Sequence, residues 1–298
     1  MLLNEITNVT TLKKGISTEE VLRQNVCSMN NKECMKGKCD KCKGQSVYSV
    51  TKNISEHVKK QPWCRKSEKR TVGTAKEPTE KLITFTIKEE VNGTVESLLK
   101  VFETQLAKQK VHTYNLRAQF RYFKKKQESL AKNECMIHID YPESYNCRLN
   151  TEVQSIHFGA SKKQLTLHTG VYYVGNDRVG KTFDTVSDSM DHGPSAEWAH
   201  LKPFLTEIRH NHKTVYSVEF FSDGPVGQYK QKANFFLITK EPFAYGFKNV
   251  RWSYFQSGHG KGIPDAIGGT LKWEANRKVQ YGKDITCAKD LVEQLKDC

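Results

Sequence analysis

Two apolar runs in this chain end on an aspartate. Cys135-Met136-Ile137-His138-Ile139-Asp140 leads into Tyr141-Pro142-Glu143-Ser144-Tyr145, and Thr214 to Phe221 leads into Ser222-Asp223-Gly224-Pro225. A carboxylate at the end of a buried strand is poorly hydrated, which costs free energy unless a cation or a hydrogen-bond network compensates. The structural compensation is an Asp side chain bonded to the backbone N–H groups of its own turn. The chemical one is a hard divalent cation, and an all-oxygen donor set suits Mg²⁺ or Mn²⁺. A pair of such ions can serve the attacking and leaving oxygens of a phosphodiester.

A second constellation lies near the start of the chain. Cys27, Cys34, Cys39 and Cys42 fall within sixteen residues, and Cys39-Asp40-Lys41-Cys42 has the C-x₂-C form that grips one metal ion through a tight turn. A tetrahedral Zn²⁺ site is expected there, with His57 or Cys64 as substitutes if one cysteine is not a ligand. The alternative is a set of free surface thiols. Zinc would hold together a segment too polar to form its own core and stiffen Lys36, Lys38, Lys41 and Lys43.

These residues need elements to position them. Residues 1–80 read as a small irregular module ending in a flexible segment, Lys66 to Glu80, followed by a short strand over 82–87. Helical spacing starts near Thr94 through Val95, Leu98, Leu99, Phe102 and Leu106, and a second helical run covers Tyr114 to Ala131. Strands are expected at 135–140, 155–158, 164–174, 181–187, 214–221 and 249–255. Helices are expected from Pro194 to His210, through Tyr229 to Ile238, from Asp265 to Lys278 and from Cys287 to Leu295. The order predicts an α/β fold, a mixed sheet flanked by helices. Three segments follow: a basic Cys-rich zinc and nucleic-acid-binding module at 1–80, a strand and helical segment at 81–134, and a catalytic domain at 135–298.

Charge supports a polyanion partner. The formal net charge is +14, and residues 1–134 carry 27 Lys and Arg against 15 Asp and Glu, whereas the remainder carries 20 against 18. A lysine-rich solvated surface explains this as well as phosphate binding does. No apolar run approaches the roughly 20 residues of a membrane span, and the first residues begin no signal peptide. A soluble intracellular protein without a membrane partner is therefore expected.

The strand-end acids and the glycine-rich turn Gly258-His259-Gly260-Lys261-Gly262 also support a family likeness. His138-Ile139-Asp140-Tyr141-Pro142-Glu143-Ser144-Tyr145, Phe221-Ser222-Asp223-Gly224 with Gln228-Tyr229-Lys230, and that turn with Asp265, Gly268, Gly269 and Lys272 resemble the DDE-type cut-and-paste transposase and integrase superfamily. The chain resembles more closely a class of animal proteins of transposon origin. The likeness covers roughly residues 110–280 and implies an RNase H-like fold, DNA as partner, a nuclear location and a possible homo-oligomer. It implies that Asp140 and Asp223 are the first and second catalytic acids, binding Mg²⁺ or Mn²⁺. The third is Asp265 or Glu274; nine helical steps rotate about 900°, so the two cannot serve one site. Asp265, beside the turn, is preferred, although the helix dipole also gives it a structural role. His259 and Lys261 are expected to meet a phosphate or leaving group, with Gly260 and Gly262 letting DNA approach. Glu143 is a candidate auxiliary ligand and His192 a weaker candidate.

Three functions remain open on this reading. The first is DNA cleavage and strand transfer on the carboxylate triad. The second is a domesticated, inactive DNA-binding protein of the same descent. The third is an RNase H-like exonuclease, which would want a fourth acid such as Glu143 or Asp188.

Overall fold

The computed structural model describes residues 2–72, 79–151, 162–175, 179–225, 227–256, 258–260 and 262–296. The chain divides into two compact units, Met1–Asn115 and Leu116–Cys298, a boundary inside the expected 81–134 segment.

In the first unit, α1 (Leu2–Ile6), α2 (Thr18–Asn25) and α3 (Lys32–Met35) precede β1 (His57–Lys60), β2 (Trp63–Val72), β3 (Thr79–Lys88) and β4 (Val91–Thr94). Ser17 caps α2 by accepting from Glu20 N–H, and Asn31 caps α3 by accepting from Glu33 and Cys34 N–H. The module is less irregular than its polarity suggests. Ile6, Val9, Leu12 and Val21 pack against Val95, Leu98, Leu99 and Phe102, so it has an apolar core apart from the cysteines. Part of the stretch expected as flexible is also ordered: β2 and β3 form an antiparallel ladder from Trp63↔Lys88 to Val72↔Thr79. Lys69 of β2 pairs with Glu80 of β3, and Lys66 of β2 pairs with Glu89 just beyond β3. Because the ladder is polar, hydrophobic alternation could not reveal it.

The two expected helical runs are one helix, α4 (Val95–Glu128), of 34 residues. The stretch between them contains neither Pro nor Gly, so nothing in the backbone breaks it.

The second unit is built on a mixed sheet of β5 (Glu134–Asp140), β6 (Tyr145–Asn146), β7 (Gln164–Val174), β8 (Lys181–Ser187), β9 (Ser217–Ser222) and β10 (Asn249–Tyr254). The expected strand at 155–158 lies outside the described residues. β5 and β9 are adjacent and parallel, with His138 opposite Phe221, and β10 lies parallel to β9. β7 runs antiparallel to β5, and β8 antiparallel to β7. Residues 169–172 of β7 pair with both β5 and β8, so these strands occupy opposite edges of β7 and the order is β10-β9-β5-β7-β8. Short β6 pairs with the start of β7.

Helices cover both faces of this sheet. On one, α5 (Pro194–Asn211) buries Trp198, Leu201, Leu205 and Ile208 against Ile137, Ile139 and Phe220. The short helices α6 (Lys232–Leu237) and α7 (Glu241–Ala244) connect β9 to β10. On the other face, α8 (Ile263–Gln280) and α9 (Ala288–Leu295) pack Ala275, Val279 and Leu291 against Leu165 and Leu167. Beside them, Phe120 and Phe123 of α4 close over Met136, Val171 and Phe221.

Candidate functional site

The parallel pairing of β5 with β9 brings the C-terminal ends of both strands to one edge of the sheet. Asp140 is the last residue of β5, and Asp223 immediately follows β9. Strand alternation turns Ile137 and Ile139 toward α5, so His138 and Asp140 face the opposite side. The expected phosphate-binding turn lies over that side. The Gly258 N–H donates to Asp223 Oδ2 at 3.0 Å, and the Gly260 carbonyl lies 3.2 Å from His138 Nε2. A Cβ on Gly260 would stand 2.9 Å from the Asp223 Cβ, and one on Gly262 would stand 3.1 Å from the His138 ring. Close packing within the chain is therefore one reason for glycine at both positions.

The same turn opens α8, whose first residues hold Asp265. Its Oδ2 accepts from the Gly262 N–H at 3.0 Å, and Thr169, opposite Asp140 on β7, donates to the Pro264 carbonyl at 2.8 Å. Asp265 is close enough to His138 to favour its protonated form, but burial dominates and lowers the imidazole pKa to about 4. Asp140 and Asp223 both act on Tyr229: burial and then nearby negative charge, theirs included, push its hydroxyl well above the usual range. Asp140 and Asp223 thus share the buried Tyr229, whereas Asp223 and Asp265 share the glycine-rich turn.

Their present bonds are those of turn-capping carboxylates. Asp140 Oδ1 accepts from Tyr141 N–H at 2.8 Å, and Asp223 Oδ1 accepts from Gly224 N–H at 2.8 Å. The three are half-buried. Glu274 belongs elsewhere, paired with Arg277 at 2.7 Å and bordering a groove with Asp184, Ile267, Leu291 and Leu295. Exposed His259 follows the glycine that binds Asp223, while Lys261 lies outside the described residues. Glu143 is exposed and 3.7 Å from Lys272 Nζ. Asp188 pairs with Lys163 at 2.8 Å and accepts from the first N–H of α9.

These elements coincide with a matched region. A sequence family described as a domain of unknown function, DUF8701, covers residues 119–297. The chain belongs to this family. No curated protein matches it. The matched region contains the whole mixed sheet and every aspartate of the edge, but none of the cysteines in the N-terminal group.

That group is compact. The sulfur atoms of Cys27, Cys34, Cys39 and Cys42 all lie within 4.8 Å of one another, so they can hold a metal ion such as zinc. In a tetrahedral thiolate site with bonds of about 2.3 Å, sulfurs stand about 3.8 Å apart. Cys39 and Cys42 share a turn in which the Cys42 and Lys43 N–H groups donate to the Cys39 carbonyl at 3.2 and 2.8 Å. Backbone N–H groups of Cys42 and Lys41 lower the Cys39 thiol pKa to about 7, whereas the hydrogen bond with Cys42, together with burial, raises Cys27 to about 11. Leu22, Val26, Met29, Met35, Leu106 and Tyr114 surround the sulfurs. Among the described residues this is the one group of three or more potential ligands drawn so close.

Sequence reasoning passed over a third group, on the α5 side of the sheet. His168, Glu197 and Tyr229 are wholly buried, with His200, His192 and Tyr141 around them. The available signals were the polar His168 inside an apolar strand and the Glu197-x-x-His200 spacing on α5.

Proposed function

We propose that residues 116–298 form an RNase H-like, DDE-type domain that cleaves and joins DNA by metal-assisted phosphodiester chemistry. The observation that carries this reading is the placement of Asp140 and Asp223 at the ends of adjacent parallel strands, with Asp265 opening the helix packed beside them. The strand order β10-β9-β5-β7-β8 supports it too: an antiparallel three-strand meander joined through its first strand to two parallel ones, with α5 between the third and fourth. The donor set is all oxygen, so Asp140, Asp223 and Asp265 would hold Mg²⁺ or Mn²⁺. When bound, such ions polarise the phosphate and activate the attacking oxygen. The chain's own contribution is to fix three carboxylates through N–H bonds and to keep His138 neutral beside them. The cysteine group binds one structural Zn²⁺ in this reading, and the basic surface holds DNA in the nucleus.

The test is cleavage of nicked or end-mimicking duplex DNA by the full chain in Mg²⁺ or Mn²⁺. Asp140→Asn and Asp223→Asn keep shape but remove the charge, and should reduce cleavage by at least about 10²-fold while leaving DNA binding nearly intact. Cutting by both variants at the parental rate would refute the reading. A second reading has its own observation, the backbone N–H groups that all three aspartates already hold. If the parent binds DNA but cuts with neither metal, the acids are turn caps and the protein is a DNA-binding relative of a nuclease.

A further inference from the structure

The α5 face of the sheet hides an unusual concentration of unpartnered polar atoms. Both ring nitrogens of His168, both carboxylate oxygens of Glu197 and the hydroxyls of Tyr141 and Tyr229 are buried without a hydrogen bond. Such groups nearly always find a partner in folded proteins, because leaving a buried donor or acceptor dry forfeits its hydration with nothing in return. They lie together: His168 and His200 rings are 5.3 Å apart, Tyr141 is 4.5 Å from His168 and stacked at 4.6 Å on His192, and the charge of Glu197 reaches Tyr141 and Tyr229.

Two hydroxyls stand beside the imidazoles. Thr185 Oγ1 lies 2.6 Å from His200 Nδ1 and 3.4 Å from the His168 carbonyl; by donating to that carbonyl it can accept the Nδ1 proton, which leaves Nε2 with a bare lone pair. Thr166 Oγ1 donates to the Ser189 carbonyl at 2.7 Å and accepts from His192 Nε2 at 3.1 Å, leaving Nδ1 bare. A ring N–H held by an oxygen, with the other nitrogen turned inward, is the usual arrangement behind a metal-binding histidine. Burial, reinforced by His192 and, for His168, by His200 as well, holds both imidazole pKa values down and favours the neutral form that ligates. Glu197 and His200 are three residues apart and share a face of α5, with His168 across from them on β7.

We propose that His168, Glu197 and His200, with His192 from the preceding loop, bind one divalent transition-metal ion of the zinc class. Neutral nitrogens with one carboxylate suit such an ion better than Mg²⁺ or Ca²⁺. The donors stand farther apart here than the cysteine sulfurs do, so the side chains must draw together to reach its roughly 2.0–2.1 Å bonds. The ion would satisfy one of the two His168 nitrogens and the Glu197 carboxylate and anchor Tyr141, the residue after Asp140. It is distinct from the cysteine group in chemistry and from the aspartate edge in both chemistry and sheet face, and it does not depend on the nuclease reading.

The experiment measures zinc per full-length chain in excess Mg²⁺, with X-ray absorption of the same sample. Two zinc ions per chain, with a first shell averaging two sulfurs and two nitrogens or oxygens and showing imidazole scattering, support the site. His200→Asn should lower the count by one and leave an all-sulfur shell. Cys39→Ser with Cys42→Ser should leave one ion with no sulfur. One ion per chain, in an all-sulfur shell, overturns the proposal without recourse to any variant. One ion with only nitrogen and oxygen ligands upholds it and refutes zinc binding at the cysteines.

Discussion

At the scale of single residues, Asp265 and Glu274 provide an internal control on one helix. Asp265 sits within reach of His138 and the glycine-rich turn, whereas Glu274 spends its charge on Arg277. Asp265→Asn should therefore cut as poorly as the Asp140 variant, and Glu274→Gln should retain activity within about twofold; equal loss from both would remove Asp265 from the site. Asp290 makes a separate prediction about pH. The Thr286 hydroxyl and N–H bond its carboxylate at 2.6 and 2.9 Å and hold its pKa down to about 2. A depressed acid stabilises the fold above its unfolded pKa, and that contribution fades as pH falls from about 4 toward 2. Asp290→Asn should flatten the acid limb of a melting curve in that window and leave its shape near neutrality unchanged. The strand-end aspartates were legible because acids interrupt apolar periodicity. His168 and Glu197 were not, since only tertiary packing tells a buried polar side chain from one facing water.

At the scale of elements, the seating of α8 is the critical contact. A Cβ on Gly268 would meet the Pro142 ring at 2.5 Å, so the helix approaches the end of β5 as closely as it does only because that position is bare. Gly268→Ala forces either the helix or the Tyr141-Pro142 corner to move. Overpacking of this kind costs about 1–3 kcal/mol. The expected result is a lower melting temperature and cleavage reduced further than stability explains, with Gly269→Ala, where the space is open, as the silent comparison. The strands and helices of the second unit were readable from apolar periodicity, within about three residues at most ends. The β2–β3 ladder was not, because its polar residues pair by charge, and α4 looked like two helices because its apolar stripe weakens in the middle.

At the scale of the molecule, charge follows the compact units differently from the sequence segments. Residues 1–115 hold 21 basic against 13 acidic side chains, and 116–298 hold 26 against 20, so the second unit carries much of the excess. The exposed Lys124 and Lys125 near the end of α4 contribute to it. Binding to duplex DNA should weaken at least about tenfold between 50 and 200 mM salt. Lys124→Gln with Lys125→Gln should lower both the affinity and the salt slope, and an unchanged slope would place the DNA contact elsewhere. The adjacency of β5 and β9 has one more consequence, a kinetic one. Their aspartates lie 83 positions apart, and Asp265 follows 42 later, so the edge depends on closing long stretches of chain. Contacts of such sequence separation slow folding, because loop entropy is lost before any pairing energy returns. During synthesis, β5 must wait beside β7 and β8 with its other edge open until β9 emerges. The three carboxylates therefore meet only after α8 has emerged, so a nascent chain would carry the β7–β8 hairpin long before the aspartate edge is assembled.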